Sequence, residues 1–169
     1  MSSHAIAPVV IGLGGNLGSD DEIVERFRRA REALAALGPV RSAALYRTAP
    51  VGHPEQPAFL NSAVSVRAAD LQPAELIATV LELERLLGRD RARETRWGPR
   101  PIDLDVLVWG ARTHRTPELE VPHPRLAARR FALAPLADLY PELVIPGHGP
   151  VAALLARVTD QPLEPLGDW

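Results

Sequence analysis

Two aspartates separated by one residue, Asp103 and Asp105, form the pattern in this sequence that is best suited to bind a metal ion. They lie in an apolar run that predicts a β-strand. Both carboxylates therefore project from one face, while Ile102, Leu104 and Val106 pack inward from the other. Neighbouring carboxylates repel each other unless a cation lies between them. Mg²⁺ favours such a pair, with water and substrate phosphates completing its coordination.

An arginine-rich segment directly before the aspartates determines how the pair is interpreted. Alone, an Asp-x-Asp pattern is more often a turn cap beside a solvent-exposed acid. Here the arginines outnumber the acids: Arg89, Arg91, Arg93, Arg96 and Arg100 against Asp90 and Glu94. Guanidinium groups clamp phosphate oxygens while metal ions neutralise others, so the combination predicts a polyphosphate site.

Charge and composition exclude several classes of function. The 169 residues carry 19 basic and 21 acidic side chains, for a net charge of -2, and aromatic residues make up 5%. A nucleic-acid patch would need a basic field and stacking aromatics, so we expect no nucleic-acid partner. All the basic residues are arginine, which removes lysine-based mechanisms. The absence of cysteine excludes disulfides and thiolate chemistry and fits a cytoplasmic location.

A glycine-rich segment follows the first predicted strand, at 12–18. It suggests a dinucleotide-binding loop, but the third glycine of that fingerprint would fall on Leu17, and no parallel βαβ repeat follows. A phosphate loop would need a lysine. We interpret the segment as a tight turn in which glycines allow close backbone approach.

Two further segments offer binding groups. The loop and strand at 46–61 could hold a ring, with Thr48 and Asn61 as hydrogen-bonding groups and Phe59 as a stacking face. His123 lies between two prolines and could donate to a phosphate, act as an acid, or only structure the turn. The alternatives for His123 remain open from sequence alone.

Hydrophobic periodicity predicts the elements that position these groups. The predicted strands are 9–13, 40–46, 59–66 and 102–108, and the helices begin after Ser19 or Asp20 and at Pro73, with shorter ones at 131–139 and 151–158. This β-α-β-β-α-β order predicts a ferredoxin-like α+β core, a mostly antiparallel sheet with helices on one face. We expect a single domain over 1–169, with its core at about 9–158 and a tail from Thr159. No signal peptide or membrane span is expected.

Four segments together resemble the 6-hydroxymethyl-7,8-dihydropterin pyrophosphokinase family. They are Gly14 to Gly18; Tyr46-Arg47-Thr48 through Gln56 to Asn61; Glu82 to Glu84 through Arg96-Trp97-Gly98-Pro99-Arg100 to Asp105; and Val121-Pro122-His123-Pro124 through Phe131. The resemblance implies transfer of a diphosphoryl group from ATP to the hydroxymethyl group of the pterin, with release of AMP, in folate biosynthesis. It also implies a small-molecule enzyme, which we expect to be monomeric.

The resemblance further implies a role for individual residues. Asp103 and Asp105 would hold two Mg²⁺ ions, and Arg89 and Arg100 would stabilise the transferred group. The nucleotide side would comprise Glu84, Arg91, Arg96, Trp97, Ile102, His123 and Arg129. The pterin side would comprise Thr48, Val51, Phe59, Asn61 and Phe131.

The sequence departs from the family pattern at several positions. Gly15 stands where serine is common, Pro101 where threonine is frequent, and Pro124 where some members have an aromatic residue. The arginine loop is one residue longer than in some members, so the second loop arginine is either Arg91 or Arg93. A metal-dependent nucleotide transferase with another acceptor, and a non-catalytic RNA-binding module, are the competing interpretations.

Overall fold

A computed structural model describes residues 7–169 and shows an antiparallel sheet enclosed by helices. Residues 1–6 lie outside the described residues. The prediction that the N-terminal stretch is not a signal peptide falls mostly on these residues. The strands are β1 (Val9–Gly15), β2 (Val40–Ser42), β3 (Leu45–Thr48), β4 (Phe59–Val66), β5 (Asp103–Trp109), β6 (His114–Arg115), β7 (Glu120–Val121), β8 (Val144–Ile145), β9 (Gly149–Pro150) and β10 (Leu163–Gly167). The helices are α1 (Asp20–Leu34), α2 (Pro73–Leu86), α3 (Arg130–Leu139) and α4 (Val151–Arg157), with a 3₁₀ turn at Leu126–Ala128.

The helix boundaries follow local signals in the sequence. Ser19 caps α1 through a reciprocal pair: its hydroxyl accepts from the Glu22 N–H, and the Glu22 carboxylate accepts from the Ser19 N–H at 2.7 Å. Proline opens α2, where its missing N–H costs no helical hydrogen bond. None of the helices within residues 7–169 is long and apolar enough to cross a bilayer.

The main sheet has the order β10-β3-β4-β1-β5, with β2 also pairing with β4, and every pair is antiparallel. Val9, Ile11 and Leu13 of β1 face the core shared with α1 and α2, and Val10 faces the core shared with α3 and α4. The predicted α+β class is therefore confirmed. The expectation of helices on one face holds for α1 and α2 alone, because α3 and α4 form a second layer on the opposite face.

Two predicted elements differ in the structure. The strand predicted at 40–46 is interrupted, since β2 and β3 pair with β4 in registers that differ by one residue: Ser42 lies opposite Val64, but Tyr46 lies opposite Asn61. The extra residue acts as a bulge between the two strands. The predicted tail after Thr159 is also wrong, because β10 pairs with β3 along the sheet edge.

Trp169 anchors the end of this edge strand. Its indole meets the Phe27 ring edge-on with centroids 5.7 Å apart, and the Arg31 guanidinium lies 4.5 Å from the indole centroid. The indole N–H is shared between the Ala43 carbonyl at 3.0 Å and the Ser62 hydroxyl at 2.9 Å. The last residue thus connects β10 to the helical core.

Replacement of Trp169 by alanine is expected to lower the free energy of unfolding by about 3 kcal/mol, because a packed aromatic side chain is lost and a cavity remains. Urea denaturation followed by circular dichroism measures the change. Asp168→Ala is the matched control, since Asp168 is exposed. Equal midpoints for the two variants would show that the indole contacts contribute nothing to stability.

Candidate active site

A cavity of about 690 Å³ opens where β1, β3, β4 and β5 meet the start of α3. Most of the predicted site residues line it. They are Thr48, Val51, Phe59, Asn61, Arg89, Arg91, Trp97, Arg100, Asp103, Asp105, His123, Arg129 and Phe131. The structure therefore brings together side chains from three separate parts of the sequence, 48–61, 89–105 and 123–131.

Three predicted residues do not reach the cavity wall. Ile102 is fully buried in the core shared with α1 and α2, as its alternation with the aspartates predicts. Arg96 is exposed, with its guanidinium 5.5 Å from the Trp97 ring centroid. Glu84 is 2% exposed and lies behind the cavity floor. Any influence of Glu84 or Ile102 on a ligand must therefore pass through neighbouring residues.

The two aspartates occupy one face of β5, as the strand alternation predicts. Leu104 between them is buried in the core on the opposite side. Their partners across the sheet are glycines, since Gly14 lies opposite Asp103 and Gly12 lies opposite Asp105. A Cβ at Gly14 would lie 3.0 Å from the Asn61 side-chain oxygen and one at Gly12 would lie 3.3 Å from the Leu107 side chain, so the glycines of β1 allow these neighbours to pack closely.

Arginines contact both carboxylates. Arg89 and Arg100 donate to Asp103 at 2.8 and 3.2 Å, whereas Arg129 lies 3.8 Å from Asp105. Burial, and then the negative charge of Asp103, raise the pKa of Asp105 to about 7. The Asp105 side chain is only partly buried, with 37% exposed toward the cavity, and its one arginine contact, to Arg129, is longer than those of Asp103.

This donor set fits Mg²⁺. Within residues 7–169, no group of three or more His, Cys, Asp or Glu side chains is arranged around a common point, so the protein supplies two carboxylates rather than a complete cage. Mg²⁺ is commonly held by one or two carboxylates together with water and phosphate oxygens. The raised pKa of Asp105 reflects a local shortage of positive charge that a divalent cation would supply.

Glu84 organises the arginine loop from behind. One carboxylate oxygen accepts from the Leu104 N–H at 2.9 Å and from Arg89 at 2.8 Å, and the other accepts from Arg91 at 2.7 Å. The strand segment between the aspartates is thereby tied to the loop. Arg91 turns toward the cavity, whereas Arg93 is 88% exposed and pairs with Asp90.

His123 has a defined protonation state. Burial, and then the charge of Arg129, lower its pKa to about 4, so the ring is neutral near pH 7. Its Nδ1 accepts from the Arg125 N–H at 3.1 Å, which leaves the proton on Nε2. Of the roles left open by the sequence, a neutral hydrogen-bond donor fits this arrangement better than an acid.

A second part of the cavity is suited to a flat ring. Asn61 Nδ2 donates to the Thr48 hydroxyl at 2.7 Å, which orients two polar groups on adjacent strands. Phe59 and Phe131 both line the cavity. The Arg100 guanidinium lies 5.8 Å from the Phe59 centroid, and that of Arg129 lies 5.5 Å from Phe131.

Asn16, for which the sequence suggested no individual role, joins the two loops above the cavity. Its amide donates to Gln56 and to the Pro57 carbonyl, each at 3.0 Å, and accepts from the Arg100 N–H at 2.9 Å. A side chain at Gly15 would place its Cβ 2.6 Å from the Pro101 carbonyl oxygen. The predicted close backbone approach is therefore observed, but Gly12 to Gly15 belong to β1 and not to the predicted turn.

Other cavity residues were also missed, notably Arg125, Ala128 and Gln161. Arg125 stacks on Trp97, with 4.9 Å between its guanidinium carbon and the ring centroid. The basic character of the segment after His123 was a usable signal for Arg125. Ala128 and Gln161 carry no comparable signal, because their position depends on how distant segments pack.

Comparison with known proteins identifies the relatives of this chain. The family model described as 7,8-dihydro-6-hydroxymethylpterin-pyrophosphokinase (HPPK) matches residues 10–141. A 2-amino-4-hydroxy-6-hydroxymethyldihydropteridine pyrophosphokinase of Pseudomonas aeruginosa is 37% identical over 161 residues, covering 95% of this chain and 98% of that protein. The Bacillus subtilis protein of the same name is 40% identical over 129 residues, covering 76% of this chain and 75% of that protein.

Among solved structures, wild-type Plasmodium falciparum HPPK-DHPS with pterin and p-hydroxybenzoate has a TM-score of 0.65 at 15% identity. The match covers 89% of this chain and 43% of that one, so this chain spans less than half the length of the solved protein. At this identity the likeness shows the fold alone.

The fold and these relatives define an ATP-dependent diphosphokinase. The chain belongs to the HPPK family. The family, fold class and activity predicted from sequence are thus confirmed, and its reaction is diphosphate transfer from ATP to the hydroxymethylpterin in folate biosynthesis.

Proposed function

We propose that the cavity between β5 and α3 carries out this transfer, with the pterin between Phe59 and Phe131 and the triphosphate over Asp103 and Asp105. The observation that supports the proposal most strongly is the juxtaposition in one cavity of paired carboxylates, several arginines and two phenylalanine rings, which would border a slot for the pterin. Thr48 and Asn61 would read the polar edge of the pterin. Arg91, Trp97, His123 and Arg129 would contact the nucleotide.

We further propose that Asp103 and Asp105 hold two Mg²⁺ ions. When bound, Mg²⁺ would neutralise phosphate oxygens and stabilise charge on the attacking and leaving oxygens. Arg89 and Arg100, now paired with Asp103, would exchange this carboxylate for phosphate oxygens as the nucleotide enters. His123 would donate its Nε2 proton in a hydrogen bond, and the loop joined by Asn16 would exclude water.

The direct test is to incubate the protein with Mg-ATP and 6-hydroxymethyl-7,8-dihydropterin and to follow AMP and the pterin diphosphate by mass spectrometry. The expected result is equal formation of both products. A 6-methyl-dihydropterin, which lacks the attacking hydroxyl, serves as the matched control. AMP formation with the control compound, or with an unrelated acceptor alone, would favour a different nucleotide transferase.

We also propose a monomer acting in the cytoplasm. The side chains proposed to hold the metal ions, the nucleotide and the pterin all come from one copy of the chain. The cysteine-free composition suits a reducing compartment. Light scattering coupled to size-exclusion chromatography tests the monomer directly, and a stable dimer would contradict it.

Nucleotide binding is expected to weaken as the pH falls below about 7. Asp105 must lose its proton to bind a cation, and its pKa is raised to about 7. The Kd for Mg-ATP should therefore rise by up to about tenfold per pH unit below that value and change little above it. Calorimetry in buffers of different ionisation enthalpy counts the protons released on binding.

Asp105→Asn is the reference for this measurement, because its side chain does not titrate. The variant should bind Mg-ATP more weakly and release fewer protons than the wild type. If the wild type and Asp105→Asn showed the same pH dependence, the titration would belong to the nucleotide or to another residue.

A further inference from the structure

Gln161 lies at the rim of the cavity, outside the part of the chain that matches the family model. That match ends at residue 141, whereas Gln161 stands between α4 and β10 and lines the cavity directly. Its side chain is half-buried. Besides lining the rim, Gln161 forms hydrogen bonds to the segment that begins α3.

Three hydrogen bonds join Gln161 to the segment that begins α3. Its Oε1 accepts from the Arg130 N–H at 3.0 Å, and its Nε2 donates to the Ala128 carbonyl at 2.9 Å. Its backbone carbonyl also accepts from the Arg130 guanidinium at 3.0 Å. The bonds lie on both sides of Arg129 and therefore restrain the backbone of that residue.

These bonds replace a missing helix cap. The N-cap residue of α3 is Arg129, whose side chain makes no capping hydrogen bond, so the first N–H groups of the helix need another acceptor. Gln161 supplies one to Arg130, the first residue of α3. The cap thus comes from a segment distant in sequence, while the Arg129 side chain remains free to enter the cavity.

The residues next to this cap are the ones that form one wall of the cavity. Arg129 lies 3.8 Å from Asp105, and its guanidinium lies over Phe131. A change of backbone angle at Arg129 would move both side chains. Because an amide capping bond is directional, Gln161 sets their position more tightly than apolar packing alone would.

The same C-terminal segment also supports the opposite wall. Leu163, two residues after Gln161, lies opposite Thr48 in the β10–β3 pair. Thr48 in turn orients Asn61 through their 2.7 Å hydrogen bond. The segment from Gln161 to Trp169 therefore spans the two sides of the ring slot and is anchored at its far end by the indole.

We propose that Gln161 is a positioning residue, which holds Arg129 beside Asp105 and places Phe131 on the side of the cavity that faces the Thr48–Asn61 wall, and so sets the affinity for the pterin. This inference rests on the proposed function of the cavity. Gln161 itself takes no part in the transfer.

The test compares Gln161→Ala and Gln161→Met with the wild type in steady-state kinetics and pterin binding, at a temperature well below the melting transition of every variant. Methionine keeps the length of the side chain but removes its hydrogen bonds. Both variants should raise the pterin KM and Kd by about five- to tenfold, because the cavity wall is no longer held in its binding position before the pterin enters. The kcat at saturation should change by less than about twofold, since the reacting groups are intact.

Two controls separate the possible outcomes. Asp160→Ala removes an exposed neighbouring side chain and should leave the pterin KM unchanged. Phe131→Ala tests the slot itself: if it leaves pterin binding unchanged, the proposed function of the slot fails. If Phe131→Ala weakens binding but both Gln161 variants retain wild-type KM and Kd, whatever their melting temperature, the positioning role of Gln161 is overturned.

Discussion

Asp103→Ala and Asp105→Ala should each reduce turnover by about 10³-fold or more while leaving the protein folded. Both side chains are half-buried and line the cavity, and neither belongs to a core cluster. Their removal therefore leaves packing intact but deprives the triphosphate of the carboxylates that would bind its metal ions. Single-turnover measurement of AMP formation with Mg-ATP and the hydroxymethyl dihydropterin determines the effect.

The two variants should differ in their secondary effects. Asp103 pairs with Arg89 and Arg100, so its loss releases two guanidinium groups, whereas the loss of Asp105 releases only the longer contact to Arg129. Asp103→Ala should therefore alter the arginine loop as well as metal binding. Hydrogen exchange of residues 89–100 compares the loop in the two variants.

Asp160→Ala is a suitable control for charge, since Asp160 is exposed and lies outside the cavity. It should retain wild-type turnover. Nearly normal turnover by either Asp103→Ala or Asp105→Ala would contradict the proposed metal site. Weaker binding of Mg-ATP together with lost turnover would support it, because both effects depend on the same carboxylates.

The face of β5 occupied by the aspartates could be predicted from sequence because it depends on local geometry. Alternation along a strand places Asp103 and Asp105 on one side whatever the rest of the chain does. The cap at Ser19 and the start of α2 at Pro73 are local in the same sense. Each of these predictions is observed in the structure.

The C-terminal strand could not be predicted in this way. The segment from Leu163 to Gly167 contains a proline and a glycine and shows no clear alternation. Its pairing with β3 brings together residues far apart in the chain, and the indole of Trp169 holds it there. Local sequence patterns do not encode such distant contacts, so the sequence predicts a tail at this segment and gives no signal for Gln161.

The partners of the loop arginines were also beyond sequence reasoning. Composition indicated guanidinium groups available to phosphate, yet Arg89 is 8% exposed and bound by carboxylates. An arginine that the fold buries beside carboxylates is already paired within the protein, whereas an exposed one is available to a ligand. The loop sequence does not specify which arginines are buried. The distinction between Arg91 and Arg93 required the same information.

Arg89→Ala should destabilise the protein far more than Arg91→Ala, although both arginines pair with Glu84. The Arg89 side chain is 5% exposed and donates to Glu84, Glu94 and Asp103, whereas that of Arg91 is 58% exposed. Removing a buried partner leaves carboxylates without compensation and typically costs about 3–5 kcal/mol. The loss of Arg91 should cost less, because its own side chain is largely solvated and Glu84 keeps its bonds from Arg89 and the Leu104 N–H. Urea denaturation of the two variants measures the difference.

The Arg89 variants should also separate stability from catalysis. Arg89→Lys keeps a positive charge near Glu84 but cannot bond three carboxylates in fixed directions, so it should recover part of the stability lost in Arg89→Ala. Its turnover should remain low, because the proposed exchange from Asp103 to phosphate oxygens uses the forked guanidinium. If Arg89→Ala were as stable as Arg91→Ala, the buried carboxylates could not depend on Arg89. Wild-type turnover in Arg89→Lys would show instead that charge alone is sufficient at this position.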